Sequence, residues 1–149
     1  MTQADGKAKW ERPPEGMIKI NTDGALFEDS NTNSYSMIVR NHAGDLVESK
    51  ASCRQGTVNP EMAELMGIRE ALSWLKDKDY AGAIVETGLA MVQAIRSSTA
   101  TLSYLGRVIN ECKSLLLLSL KHYPNVTLNF VKSTKLLTYY TRRNSNSIA

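Results

Sequence analysis

At 149 residues, 42% hydrophobic and 22% charged, the sequence has the size and apolar content of one globular domain with a real core. A formal net charge of +3 permits a polyanionic partner but falls short of the strongly basic footprint of a dedicated nucleic-acid binder. Cys53 and Cys112 form no short metal-type or redox-type pair and are read as reduced core thiols. Met1 to Lys9 lacks the apolar stretch of a signal peptide, and the aliphatic run Leu115 to Leu118 is too short for a bilayer, so a soluble intracellular monomer without membrane contact is expected, in cytoplasm or nucleus.

In chain order, residues 1–16 are predicted to be a flexible lead that ends in Trp10 and a Pro13-Pro14-Glu15-Gly16 turn, because paired prolines hold the chain extended and glycine lets it turn. Met17 to Thr22 then alternates, with Ile18 and Ile20 on one face and Lys19, Asn21 and Asp23 on the other, which is the period of a half-buried strand with Asp23 at its end. Tyr35 to Arg40 and Leu46 to Cys53 are predicted strands joined by the turn residues Asn41 to Asp45 as a hairpin. From Pro60 the period becomes helical. Leu65, Ile68, Leu72 and Leu75 form one stripe, with Asn59 as N-cap, Pro60 in the first turn and Glu61 at the positive helix end, and the helix is expected to reach about Lys78.

Ala83 to Thr87 is a short apolar strand, followed by a shorter amphipathic helix carrying Met91, Val92 and Ile95. Leu102, Leu105, Val108, Ile109, Cys112, Leu115, Leu116 and Leu120 give the strongest helical stripe, closed by Pro124, and Asn125 to Lys132 supplies a fifth strand. The order β-β-β-α-β-α-α-β predicts an α/β fold: a five-stranded mixed sheet, three antiparallel strands and then parallel ones, with helices packed on it. The expected organisation is a lead over 1–16, a domain over 17–132 and an irregular polar tail over 133–149.

The string Trp10-x-x-Pro13-Pro14-x-Gly16-x-x-Lys19-x-Asn21-Thr22-Asp23-Gly24-Ala25, then Ala63-Glu64 opening the first helix, then Val85-Glu86-Thr87, resembles the plant ribonuclease H-like (RNase H type 1) domains related to those of retroelement reverse transcriptases. The likeness runs from Trp10 to about Lys132 in the right element order. It implies a ribonuclease H-like fold and a site in which four carboxylates hold two Mg²⁺ ions, with Mn²⁺ as an alternative, to cut the RNA strand of an RNA–DNA hybrid. Two hard cations roughly 3.5–4 Å apart need several carboxylates to neutralise them.

Carried over position by position, Asp23 matches the first acid and Glu64 the second. Helical geometry supports Glu64 independently, since it shares a line with Ile68, Ala71 and Leu75 along the flank of the buried stripe, and a carboxylate turned toward a sheet needs a partner or a cation. The third acid is missing: the family's Glu-Thr-Asp stands here as Glu86-Thr87-Gly88. Glu86 shares the face of position 88 but lies two residues, roughly 6.6 Å, back along the strand, and is not read as a replacement. The fourth position falls on Tyr140 if the tail is aligned without a gap. In the preferred register Arg143-x-x-Asn146-x-Ile148-Ala149 matches a family run, Ser133 to Arg142 are inserted, and the position lies just beyond Ala149, so the C-terminal helix is truncated or altered.

The resemblance therefore implies a hybrid-binding domain with an incomplete two-metal site, Mg²⁺ held weakly by Asp23 and Glu64, and hydrolysis weak or absent. Asn21, Lys132 and Arg143 are candidates for nucleic-acid contact. Two other readings stay open: an active hybrid endoribonuclease using substitute ligands or a longer form of the chain, and a scaffold domain that binds no nucleic acid.

Overall fold

The structure, a computed structural model, describes residues 10–56, 58–76, 78–88, 95, 103–122 and 125–130, with backbone alone for 119–122 and 125–130. Strand β1 (Met17–Phe27) pairs antiparallel with β2 (Thr32–Asn41), which pairs antiparallel with β3 (Leu46–Gln55). Helix α1 (Pro60–Leu75) leads to β4 (Gly82–Thr87), parallel to β1, and α2 (Tyr104–His122) leads to β5 (Asn125–Phe130), parallel to β4. The sheet order is β3-β2-β1-β4-β5. The three-strand meander forms one half of the sheet and the crossover strands add to its other side, as the change of hydrophobic period along the chain predicts.

Turn chemistry fixes the ends of these elements. Between β2 and β3 the Asn41 side chain accepts hydrogen bonds from the Ala43 and Asp45 backbone N–H groups, both at 3.0 Å, while Gly44 takes φ +85°. A residue with a Cβ would be strained at that angle. At the start of α1 the Asn59 side chain accepts from the Met62 N–H at 2.8 Å, so the expected cap is in place ahead of Pro60.

Alternation along β1 buries Ile18, Ile20 and Thr22 on the face that carries α1, beside Val39 and Met37 of β2 and Ala83 and Val85 of β4. The helical stripe Leu65, Ile68, Leu72 and Leu75 meets them, and α2 completes the core with Val108 and Cys112. Burial pushes the Cys112 thiol up to about 12, and its Sγ lies 4.0 Å from the Leu65 carbonyl, so this cysteine is an inert core group.

Several boundaries differ from the sequence expectation. Ladder pairing with β2 carries β1 on to Phe27↔Thr32, so Asp23 lies within the strand and not at its end. Helix α1 stops at Leu75, short of Lys78, while β5 is described over Asn125–Phe130 and its expected end at Lys132 lies outside the described residues. Cys53 is exposed and not a core thiol, because β3 is an edge strand and most of its residues face solvent. The expected short helix around Met91 and Val92 lies outside the described residues, apart from the buried Ile95, as does the tail 133–149.

The end of the predicted lead is fastened to the sheet. The Met17 N–H bonds to the Pro14 carbonyl at 3.0 Å, the Ala81 N–H to the Gly16 carbonyl at 3.1 Å, and Pro13 is buried.

Candidate functional site: an acidic edge where strand and helix meet

Two glycines press α1 onto the sheet. A Cβ at Gly24 would stand 2.5 Å from the backbone carbon of Ala63 and 2.5 Å from the backbone nitrogen of Glu64, closer than any side-chain carbon tolerates. From the helix side, a Cβ at Gly67 would lie 3.1 Å from the Asp23 carbonyl oxygen and 3.3 Å from that of Ser36. The residue after Asp23 is thus in direct contact with the first turns of α1, which brings the Asp23 and Glu64 positions together.

Asp23 is buried, and one of its carboxylate oxygens accepts the Gly24 N–H at 2.9 Å. Glu64 is half-buried. Its carboxyl is held above the usual glutamate range, first by burial, then by the negative charge of Asp23, and third by that of Glu61. Two carboxylates therefore feel each other in a partly desolvated place, an arrangement that a cation relieves.

Gly88 follows β4 at the same edge. The last paired step of the parallel ladder is Asn21↔Glu86, two residues before Asp23 in one segment and two before Gly88 in the other. A Cβ at Gly88 would point at the Glu64 carboxylate, 3.2 Å from Oε2 and 3.7 Å from Oε1. Position 88 thus faces the Glu64 carboxylate directly, and there it carries no side chain. Among the described residues no three His, Cys, Asp or Glu side chains converge as a metal-binding group.

Glu86 is occupied elsewhere. Its Oε1 pairs with the Lys19 ammonium at 2.8 Å, with both side chains largely buried, and its Oε2 accepts from the Asn21 amide at 2.8 Å. The Asn21 amide oxygen in turn accepts the Trp10 indole N–H at 3.1 Å, so both ends of this side chain are engaged inside the fold. The sequence places Lys19 and Asn21 on one face of β1 by alternation, but it gives no register between β1 and β4 and so does not show their pairing with Glu86. Lys132, Tyr140 and Arg143 lie outside the described residues. No helix among the described residues is long and apolar enough to cross a membrane.

Solved structures match this chain in fold. RNase H1 from Halobacterium salinarum NRC-1 superposes with a TM-score of 0.63 at 15% identity, over 78% of this chain and 86% of that one. The N-terminal RNase H domain of rv2228c from Mycobacterium tuberculosis, solved as a fusion with maltose-binding protein, gives 0.67 at 13% identity, over 91% of this chain and all (100%) of that one. LC11-RNase H1, solved in complex with an RNA/DNA hybrid, gives 0.59 at 13% identity, over 76% and 84%. The fold is that of the RNase H-like α/β domains.

The family model described as Reverse transcriptase-like matches residues 21–135, most of the chain and all of the acidic edge. The chain belongs to this reverse transcriptase-like family. Among curated proteins no relative matches.

Proposed function

We infer that the chain is a nucleic-acid-binding domain for RNA–DNA hybrid that holds a single Mg²⁺, or Mn²⁺, through Asp23 and Glu64 and hydrolyses its substrate weakly or not at all. The observation that carries this reading is Gly88. The position that faces the Glu64 carboxylate at 3.2 Å supplies no third acid, and Glu86, two residues back along the chain, is neutralised by Lys19 and Asn21.

The residues present fit one hard cation, because Mg²⁺ binds through one or two carboxylates completed by water and substrate phosphate oxygens. They do not fit a pair of cations, whose charge two carboxylates leave largely unbalanced. A bound cation would supply positive charge that draws a phosphate to the edge. Asp23, fixed by the Gly24 N–H, and Glu64, fixed by the approach of α1 to β1, would hold it. A likeness in fold to an RNase H1 solved with an RNA/DNA hybrid supports that class of partner.

The test is an end-labelled RNA–DNA hybrid incubated with the full chain in Mg²⁺ and in Mn²⁺, with retention measured at rising salt. The expected result is salt-dependent retention with little or no cleavage. Sustained turnover that Asp23→Asn abolishes would sink the impaired-site reading, and absence of salt-dependent retention would sink hybrid binding.

A further inference from the structure

Trp10 makes a set of contacts that neither the fold nor the acidic pair accounts for. Its indole N–H donates to Asn21 at 3.1 Å, and Asn21 donates onward to Glu86 at 2.8 Å. Lys19 Nζ and the Arg40 guanidinium lie over its ring, 5.3 Å and 5.5 Å from the centroid. Lys19 also pairs with Glu86 and donates to the Glu11 carbonyl, so the segment at Trp10 and Glu11 is tied to β1, β2 and β4 together.

The location of the path matters more than its length. Asn21↔Glu86 is the last rung of the β1–β4 ladder, and Asp23 and Gly88 each follow two residues later. Whatever fixes this rung therefore fixes the point from which both strands run to the acidic edge. An Asn side chain left with one end free would turn about its last torsion, whereas here both ends are held, the oxygen by Trp10 and the nitrogen by Glu86.

We propose that Trp10 is a positioning residue for the acidic edge: through Asn21 and Glu86 it sets the orientation of the Asp23 carboxylate, so that the residues before β1 govern cation binding at a site they do not touch. The cation arm rests on the function proposed above; the orientation arm does not. Partners that orient a ligand without touching the metal typically change its affinity about 10–100-fold when removed.

The Gly24 N–H, bonded to Asp23 Oδ1 at 2.9 Å, is a built-in reporter of that orientation. Three substitutions in the full chain separate the roles. Trp10→Phe keeps a ring under Lys19 and Arg40 but removes the N–H. Trp10→His returns an N–H donor at the equivalent ring position. Arg40→Met removes a cation from the ring and leaves the N–H path intact.

Trp10→Phe is expected to move the Gly24 amide resonance and weaken Mn²⁺ binding about tenfold by calorimetry. Trp10→His is expected to restore both, and Arg40→Met to lower Tm while changing neither. A Trp10→Phe chain that loses Tm but keeps the Gly24 resonance overturns the proposal and leaves Trp10 as packing. If the full chain takes up no Mn²⁺ yet the Gly24 resonance moves, the single-cation reading fails and the positioning role stands. Should Trp10→Phe not fold, Trp10→His decides alone: a displaced Gly24 resonance in a folded Trp10→His chain, with the donor retained, overturns the path through the N–H.

Discussion

Strand β1 runs between two charged regions on opposite terms. Around Lys19 and Asn21 the buried carboxylate has its counterparts inside the protein: Glu86 meets the Lys19 ammonium and the Asn21 amide, and Trp10 closes over both. Around Asp23, two residues on, burial and a neighbouring carboxylate push the Glu64 carboxyl above its usual range. The first region is a finished structural joint. The second carries an electrostatic cost in the free protein, which is what the cation site proposed above would relieve.

The largest effect should come from breaking the finished joint. Glu86→Ala leaves the Lys19 ammonium buried without its carboxylate, and loss of one partner of a buried pair typically costs about 3–5 kcal/mol. Chemical denaturation should show the midpoint falling accordingly, with Lys19→Met in the same chain recovering part of the loss. A change within a few tenths of a kcal/mol would show that water reaches Lys19, and that the two regions do not differ as described.

A smaller effect is expected from adding to the unfinished region. Gly88→Asp places a third carboxylate against Glu64, whose flexible end has to give by only a few tenths of an ångström. Without divalent cations, like-charge repulsion should lower stability by about 1 kcal/mol, or roughly 2–4 °C in Tm. Added Mn²⁺ should restore and then raise Tm in a concentration-dependent way, since a ligand that binds only the folded state stabilises it by mass action. Thermal melts in EDTA and in Mn²⁺ check this, and equal responses of Gly88→Asp and the parent chain would place position 88 away from the cation.

The smallest expected change is a gain. Between its unfolded and its raised folded pKa, Glu64 binds more protons in the folded chain than in the unfolded one, so stability falls as pH rises through that window and the loss persists at neutral pH. Glu64→Gln carries no charge and should be slightly more stable than the parent at neutral pH. The gain should vanish below the ordinary carboxylate range, where Glu64 is protonated in both states. Melting curves across this range decide it, and a Glu64→Gln chain that is less stable at neutral pH would mean that Glu64 is already well compensated.

The local rules carried much of the fold. The alternation Ile18, Ile20 against Lys19, Asn21, Asp23 reappears as the two faces of β1, the stripe Leu65, Ile68, Leu72, Leu75 is the buried side of α1, and Asn59 caps it. The boundaries were less legible because they depend on partners: β1 continues past Asp23 only because β2 is there to pair with it. The exposure of Cys53 is of the same kind, since edge position is a property of strand order and not of the strand's own residues.

At the acidic edge the sequence by itself determined which residues are present: Asp23 followed by a glycine, Glu64 in the first turns of a helix, and Gly88 directly after Glu86-Thr87. Only the tertiary structure decided how they meet. The approach of α1 to β1 at Gly24, the aim of position 88 at the Glu64 carboxylate, and the capture of Glu86 by Lys19 and Asn21 each join segments far apart in the chain. Spacing and periodicity record the geometry of one segment at a time, whereas charge compensation depends on distances between segments, and those distances exist only once the sheet register and the helix approach are fixed.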